Sequence, residues 1–547
     1  MSEPAGPARR LRIALRADAS PAIGTGHLMR CLTLADALAQ GGHETRFVTR
    51  GEESAALVRA RGHACDVLTE ARGQPQDQDQ DQNGADEAGD LAHSHWLGGS
   101  QQADARDSAA LLGAGWDWLV VDHYALDARW EKVVAAATGA RVLAIDDIAD
   151  RRHDCAILLD QNLQERPGRY DALVPGDCRQ LIGPRYALLG PAFARLRADP
   201  PLRDGARGVI YLGGVDRPGA TMLALGALDR AGLGDRPVDV VIGAANPRRA
   251  AIADWCRAHP ASTLHAGGAD MAALLAGAGW AIGAAGASAW ERCCLGVPTI
   301  LLTIADNQRP GAAALGAAGA ALVAGEVGAL DAGSLAAMIA VLHRADGLAG
   351  HIAHQAAALV DGAGVGRVVR ALAAPAIRLR PARADDCERI WQWRNHPATR
   401  AHVPDPAPIA LADHRRWFEG ILAGTRPTDL LIGETGDTAV GVLRFDHAPV
   451  PEPDAGGAAD GGAAAGRTAA TVSIYLVPGR AAAPGSGQAL LRAGAAWLAR
   501  ERPATTHVEA LILSGNKASQ GAFAGAGYMP YAGLWRRAIG PAESESA

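Results

Sequence analysis

Short apolar runs, separated by helix-length segments, fill much of the first 370 residues and constrain the fold more than any other feature. A first series contains "RIALRAD" (12–18), "WDWLVVDHY" (116–124), "RVLAIDDI" (141–148) and "CAILLDQN" (155–162); a second contains "GVIYLGGVD" (208–216), "VDVVIGAAN", "WAIGAAG" and "VPTILLTIADN". Uninterrupted apolar runs are typical of strands buried on both faces of a parallel sheet. Two such series predict an α/β fold with two doubly wound, Rossmann-like lobes and a cleft between them.

A smaller unit is predicted after Pro375, where strand "AIRLRPA", two helices and further strands indicate an α+β domain. We place the lobes at 10–200 and 206–373 and the last domain at 376–540. The polar stretch "QPQDQDQDQNGADEAGD" (74–90) predicts a disordered insert of about 72–108, and a Gly/Ala-rich stretch predicts a flexible insert of about 449–467.

Composition excludes several function classes. The 547 residues carry a formal charge of −6 without a basic block, which argues against a nucleic acid partner. The eight cysteines include no C-x-x-C pair, so we expect reduced thiols in a cytoplasmic protein, and no metal. The two histidines of "HSHW" (93–96) have no third ligand beside them. We find no signal-type or membrane-spanning run and expect no membrane partner; nothing indicates an oligomeric state.

The stretch "GTGHLMRC" (24–31) lies where the first strand gives way to a helix predicted over 27–40. Gly24 and Gly26 would let backbone amides approach a ligand, and the carboxyl end of a strand is where open α/β sheets bind ligands. The positive end of the helix disfavours imidazolium, so we expect a neutral His27 that can take a proton from water. A histidine that caps the helix explains the pattern equally well.

Two longer stretches resemble a known family. "RADASPAIGTGHLMRCLTLADAL" resembles the N-terminal signature of the UDP-sugar hydrolases of pseudaminic acid biosynthesis, whose fold is similar to that of two-lobed GT-B glycosyltransferases of the MurG type. "AIGAAGASAWERCCLGVPTILLTIADNQ" (281–308) resembles their second-lobe signature. The resemblance implies that UDP-2,4-diacetamido-2,4,6-trideoxy-β-L-altropyranose is hydrolysed: water attacks the anomeric carbon and UDP leaves.

This resemblance also implies the site residues. The expected catalytic residues are His27, Tyr124 and Asn307, and Glu291 is expected to bind the ribose hydroxyls of uridine. The remaining substrate-binding residues, which include the diphosphate-facing loop at 286–288, are expected to be Gly24, Gly26, Arg30, Gly213, Gly214, Asp216, Gly286, Ser288 and Gln308. Glu291 as a surface helix residue and Tyr124 as a strand cap are the alternatives. The loop departs from the family in one respect, because Ala285 and Ala287 stand where a small hydroxyl residue is expected.

Residues 376–535 resemble the GNAT N-acetyltransferases, and among these the enzymes that acetylate the 4-amino group of a UDP-amino sugar. The strand, glycine loop and helix of "SIYLVPGRAAAPGSGQALLRAG" (473–494) fit an anion cradle, and a flexible Gly/Ala loop explains this stretch equally well. "LILSGNKASQGAFAGAGY" matches the closing motif of the family. The resemblance implies acetyl-CoA as cosubstrate, bound by Val477, Arg480, Gly485, Ser486, Gly487, Asn516 and Ser519. Phe523 replaces the tyrosine that protonates the leaving thiolate in many members. Either Tyr528 donates this proton, or the thiolate leaves unprotonated as the zwitterionic intermediate collapses.

The leading hypothesis is a fused, bifunctional enzyme whose C-terminal domain acetylates a UDP-amino sugar and whose N-terminal half hydrolyses the product. One alternative is a glycosyltransferase with the same fold that uses a hydroxyl acceptor instead of water. The other is a non-catalytic protein that binds sugar nucleotides and carries a degenerate acetyltransferase module.

Overall fold

The computed structural model describes residues 10–20, 23–68, 91–163, 168–216, 218–345, 347–374, 377–436, 438–450, 467–479 and 485–539. They divide into two compact units, Arg10–Leu372 and the chain from Ala373 onward. The first unit contains two parallel sheets, and the second contains one mixed sheet. The predicted fold class is confirmed. In the described part of the chain, no helix is both long and apolar enough to cross a membrane.

The first lobe is built on a seven-stranded parallel sheet in the order β3-β2-β1-β4-β5-β6-β7. Its strands are β1 Arg12–Ala17, β2 Glu44–Arg50, β3 Ala64–Leu68, β4 Trp118–Asp122, β5 Arg141–Ile145, β6 Ile157–Asp160 and β7 Arg179–Ile182. Every residue of β4 is buried, as expected for a central strand with helices on both faces. The helices of this chain segment are α1 Gly26–Gln40, α2 Glu52–Ala60, α3 Gln101–Leu112, α4 Ala128–Thr138 and α5 Pro191–Ala198.

The second lobe repeats this plan with six parallel strands in the order β10-β9-β8-β11-β12-β13. Its strands are β8 Asp204–Tyr211, β9 Val238–Ile242, β10 Thr263–Ala266, β11 Ala278–Ala284, β12 Thr299–Thr303 and β13 Leu322–Glu326. Its chain segment also forms α6 Ala220–Arg230, α7 Arg249–Ala258, α8 Met271–Gly277, α9 Ser288–Cys294, α10 Arg309–Ala317, α11 Ala332–Arg344, α12 Leu348–Leu359 and α13 Gly364–Ala373. The chain order reverses between β1 and β4 and between β8 and β11, and ligands bind at such switch points.

The second unit is a seven-stranded sheet in the order β14-β15-β16-β17-β18-β20-β19. Its strands are β14 Arg378–Pro381, β15 Thr428–Thr435, β16 Thr438–Pro449, β17 Thr468–Leu476, β18 Thr505–Ala510, β19 Met529–Tyr531 and β20 Leu534–Ala538. Within this sheet, β17 and β18 are the only described strands that pair in parallel. The helices are α14 Cys387–Asn395, α15 Pro397–Arg400, α16 Leu411–Leu422, α17 Ser486–Glu501 and α18 Lys517–Gly525.

The predicted extent of the first insert is wrong at its C-terminal end. Residues 101–108 belong to α3, whose Asp104 accepts hydrogen bonds from Arg16, Arg50 and the Trp130 indole. The helix escaped prediction because "QQADARDSAALL" is polar and its stabilising charge pairs are remote in sequence. The stretch 74–90 and most of the insert at 449–467 lie outside the described residues.

The lobe boundaries also differ from those predicted, because the lobes exchange helices. Phe193 of α5, expected in the first lobe, packs in a hydrophobic cluster of the second lobe. Val365, Val368 and Leu372 of α13, expected in the second lobe, pack in the core of the first, and the Trp118 indole donates to the Leu372 carbonyl at 3.0 Å. The chain therefore crosses between the lobes once near residue 188 and again near residue 362.

Candidate active site

His27 lies at the switch point of the first lobe, as the sequence predicts. Helix α1 begins directly after the loop that follows β1, and Asp122 is the last residue of the neighbouring β4, in register with Ala17 of β1. Gly24 has φ of 78°, a conformation that favours glycine, while Gly26 has open space where a side chain would lie. The loop therefore presents its backbone beside the histidine.

A buried carboxylate orients the His27 ring. Nδ1 of His27 lies 2.6 Å from Oδ1 of Asp122. Because an ionised carboxylate can only accept, we assign the proton to Nδ1, which leaves the lone pair on Nε2. Burial alone would raise the pKa of Asp122, but the charge of Arg30 and the hydrogen bonds from Arg30 and His27 outweigh it and hold the pKa well below its usual range. Asp122 is therefore a fixed negative charge behind the imidazole.

Arg30 and Tyr124 form the wall behind this pair. Arg30 donates from Nε and Nη2 to Asp122, at 2.6 Å each, and from Nη1 to Asp147 at 3.0 Å. The Tyr124 hydroxyl donates to the same Asp147, and its ring stands perpendicular to the His27 ring at 4.6 Å between centroids. Both side chains are buried beside His27, where they hold Asp122 and Asp147 in place, and the roles predicted for them at the substrate stay predictions.

Neither Asp122 nor Asp147 is among the residues predicted from sequence. Each follows a buried apolar run: Asp122 in "VVDHY" ends the central strand β4, and Asp147 in "AIDD" lies just after the neighbouring β5. The carboxyl ends of parallel strands meet at one edge of a sheet, so a polar residue at the end of an apolar run is the signal that points to them.

The second lobe brings together part of its predicted site. The Gln308 side chain lies against Gly286, and its Oε1 accepts from the Ile304 amide at 3.3 Å. Ser288 begins α9, where its hydroxyl accepts from Arg292 at 3.1 Å. Asn307 is exposed in the short 3₁₀ turn Asp306–Gln308 and forms no hydrogen bond through its side chain within the described ranges.

Glu291 is a half-buried carboxylate on α9. Burial raises the pKa of Glu291 to about 7, although the neighbouring Arg292 opposes the shift. No described residue donates a hydrogen bond to this carboxylate. A carboxylate that lacks a protein donor and loses solvent is suited to accept hydrogen bonds from a ligand.

The prediction that Asp216 faces the cleft is wrong. Both carboxylate oxygens of Asp216 accept from the first amides of α6, those of Ala220 and Thr221, at 2.8 Å each. Asp216 is buried and caps the helix, a role that satisfies backbone donors which otherwise lack partners. Gly213 and Gly214 lie in the same loop, and the Gly214 carbonyl accepts from the Gly243 amide at 2.8 Å.

In the second unit, strands β17 and β18 separate partway along their length. They pair from Thr468 to Thr471 of β17, whereas Val472–Leu476 of β17 have no partner in β18. Helix α17 begins nearby in sequence at Ser486, after Gly485 with φ of 84°. Gly487 lies close to α18, where an added Cβ would be 3.7 Å from Ala522.

The other residues predicted to bind acetyl-CoA lie at different places in the second unit. Oδ1 of Asn516 accepts from the Ser519 amide at 3.0 Å and so caps α18. The Val477 amide donates to the Val440 carbonyl at 3.0 Å. Arg480 lies outside the described residues.

Residues 376–529 match the family model described as an acetyltransferase (GNAT) domain. The C-terminal unit contains a GNAT domain. Its separated β17–β18 pair and the amides at the start of α17 fit acetyl-CoA, the cosubstrate that this family implies, because strand-edge amides can pair with the amides of the pantetheine arm and helix-start amides with its pyrophosphate.

Several polar side chains of the GNAT domain are already engaged in ion pairs within the domain. Glu434 accepts from Arg378 and Arg380, at 2.8 and 2.7 Å, and Nε2 of His447 lies 2.8 Å from Asp429. The Phe523 and Tyr528 rings meet edge to face, with centroids 4.9 Å apart. Burial raises the pKa of the Tyr528 phenol, whose hydroxyl has no hydrogen-bond partner among the described residues.

Two curated relatives are each similar to a part of the chain. The chain is 33% identical over 151 residues to the spore coat polysaccharide biosynthesis protein SpsG of Bacillus subtilis, which is 27% of this chain and 44% of SpsG. It is 36% identical over 75 residues to the UDP-2,4-diacetamido-2,4,6-trideoxy-beta-L-altropyranose hydrolase of Campylobacter jejuni, 14% of this chain and 27% of that protein. The matches thus span less than half of either relative.

A crystal structure of Acinetobacter baumannii MurG matches 66% of this chain and 99% of its own chain, at 15% identity and a TM-score of 0.45.

The described residues contain no group of three or more His, Cys, Asp or Glu side chains that could hold a metal ion.

Proposed function

We propose that the chain is a bifunctional, cytoplasmic sugar-nucleotide enzyme of pseudaminic acid biosynthesis. Its two-lobed unit hydrolyses UDP-2,4-diacetamido-2,4,6-trideoxy-β-L-altropyranose, and its GNAT domain acetylates the UDP-4-amino-sugar precursor. The observation that carries the hydrolase proposal is the His27–Asp122 pair, which leaves Nε2 of a switch-point histidine as a proton acceptor. The matches to SpsG and to the altropyranose hydrolase support the substrate class.

Hydrolysis then follows from the chemistry of the pair. Nε2 of His27 takes a proton from water as the water oxygen bonds to the anomeric carbon, and the bond from that carbon to the UDP oxygen breaks with its electron pair on UDP. Asp122 stabilises the imidazolium that forms, while Arg30 and Tyr124 act as positioning residues. The loop at 286–288 and Gln308 would bind the diphosphate, Glu291 the ribose and Asn307 the sugar.

Acetyl transfer would use the open edge of β17. Acetyl-CoA, when bound, supplies the acetyl group as a thioester. Val472–Leu476 and the amides of Gly485, Ser486 and Gly487 would hold it, so that the amine of the sugar is aligned with the thioester carbon. Phe523 cannot donate a proton, so the buried Tyr528 phenol beside it would protonate the released thiolate, and the proton that the amine loses on acylation would restore the phenol.

Mass spectrometry of the products tests both activities. We expect a UDP-4-amino sugar to gain one acetyl group and release one thiol only when acetyl-CoA is present. We expect the diacetamido sugar nucleotide to release free sugar and UDP without any acceptor. UDP release that requires an added hydroxyl acceptor would contradict hydrolysis and indicate a glycosyltransferase, and the absence of thiol release would contradict the acetyltransferase.

The pH dependence of UDP binding tests the role of Glu291. Since its pKa is raised to about 7, the carboxylate is ionised above that pH and protonated below it. If it accepts from both ribose hydroxyls, the dissociation constant of UDP should rise several-fold between pH 8 and pH 6, because the protonated form offers fewer acceptors. Isothermal titration calorimetry at both pH values measures this change.

Glu291→Gln should weaken UDP binding at pH 8 and flatten the pH dependence that remains after the titration of UDP itself. Glu326→Gln is the matched control, because Glu326 is an exposed glutamate of the same lobe that pairs with Arg309. The ribose assignment would be wrong if both variants bound UDP like the wild type at each pH.

A further inference from the structure

Trp96 packs over the His27 site from a segment that the proposed mechanism does not use. Its indole stacks on the Tyr124 ring, with centroids 5.6 Å apart and planes 24° apart, and lies edge-on to His27 at 6.4 Å. His93 contacts both Trp96 and Tyr124, at 4.5 and 5.2 Å. The "HSHW" histidines thus belong to an aromatic cluster beside the catalytic candidate.

The segment that carries Trp96 is firmly attached to the first lobe. The next residue, Leu97, is buried in a hydrophobic cluster that contains Trp116 and Tyr170. Helix α3 follows, and its Asp104 binds the buried Arg16. The indole is therefore held in one place, which is the property of a preformed binding surface.

Burial distinguishes the two stacked rings. Tyr124 is 3% exposed, whereas Trp96 is only half-buried. A rigid aromatic surface next to a polar reacting group is typical of sites that bind ligands with one apolar and one polar side. The C–H face of a pyranose ring is such a surface, and a 6-deoxy sugar with acetamido methyl groups presents more apolar area than an ordinary hexose.

We propose that Trp96 is the platform on which the sugar ring of the nucleotide sugar lies, and that it selects for deoxy and acetamido sugars. This proposal rests on the proposed hydrolase function and adds a substrate-binding residue from the first lobe. The platform contacts the sugar and not the uridine diphosphate, so its loss should affect the two ligands differently.

Isothermal titration calorimetry with UDP and with the diacetamido sugar nucleotide tests the platform. In a His27→Ala background, which keeps the sugar nucleotide intact during the titration, we expect Trp96→Ala to weaken its binding by about tenfold, with UDP affinity unchanged, and Trp96→Phe to retain most of the affinity. In turnover assays, KM should rise more than kcat falls. Trp255→Ala is the matched control, because Trp255 is also a half-buried tryptophan stacked on a histidine, His259, in the second lobe.

Equal losses of UDP and sugar-nucleotide affinity in Trp96→Ala, or no loss of either, would overturn the proposal. Near-UV circular dichroism and thermal unfolding of Trp96→Ala, compared with those of Trp96→Phe, exclude a folding defect as the cause. If the wild type hydrolyses nothing, the hydrolase function fails, yet the binding comparison on the intact sugar nucleotide still decides the role of Trp96.

Discussion

His27→Ala is expected to slow UDP release from the diacetamido sugar nucleotide by about 10²–10⁴-fold, the usual contribution of a positioned general base. UDP should still bind with wild-type affinity, because the nucleotide is assigned to the second lobe. A coupled assay for UDP measures the rate, and calorimetry measures the binding.

The first lobe contains a matched control for this variant. His63 also pairs with an aspartate, with Nε2 at 2.8 Å from Asp36, but it precedes β3 and so lies at the opposite end of the sheet. His63→Ala should therefore leave the rate of UDP release unchanged. A His27→Ala enzyme that hydrolyses at the wild-type rate would show that another group activates the water.

Asp122→Asn is expected to reduce both activity and stability. An asparagine can donate to Nδ1 of His27, which would place the ring proton on Nε2 and remove the lone pair that accepts the proton from water. We expect the rate of UDP release to fall by about 10²-fold or more. Arg30, buried with two of its nitrogens on Asp122, loses a charge partner, so the free energy of unfolding should fall by about 3 kcal/mol.

Urea unfolding separates these two effects, and Asp36→Asn, which alters the other histidine–aspartate pair, should cost neither activity nor much stability. The double variant His27→Ala, Asp122→Asn should be no slower than His27→Ala alone, because the carboxylate acts through the ring. Additive losses in the double variant would mean that Asp122 contributes to catalysis independently of His27.

The fold was largely predictable because parallel strands that are buried on both faces have continuous apolar sequences. Strand β7, "RQLI", is missing from the prediction, since it lies at the sheet edge and has no such run. Helix α3 is polar and depends on the Asp104–Arg16 pair, whose members lie 88 residues apart. Interactions between distant residues leave no local pattern to detect.

Only those residues of the site that stand out against their sequence neighbours were predicted. His27 stands out because glycines flank it within one turn. Its partner Asp122 lies 95 positions away, and only the pairing of β1 with β4 brings the two together. Asp216 follows a strand and a glycine pair in the same way, yet it caps a helix, since a carboxylate ahead of a helix satisfies amides whether or not a ligand is present.

The exchange of α5 and α13 gives the two lobes two covalent connections instead of one. A single linker would allow the lobes to rotate about several axes. Two crossing points instead favour rotation of one lobe relative to the other about the line that joins these points. Any relative motion of the two lobes is thereby restricted to one main path. A chain that ends after α12 would lack one of the two connections. It would also expose the apolar surface of the first lobe that α13 covers.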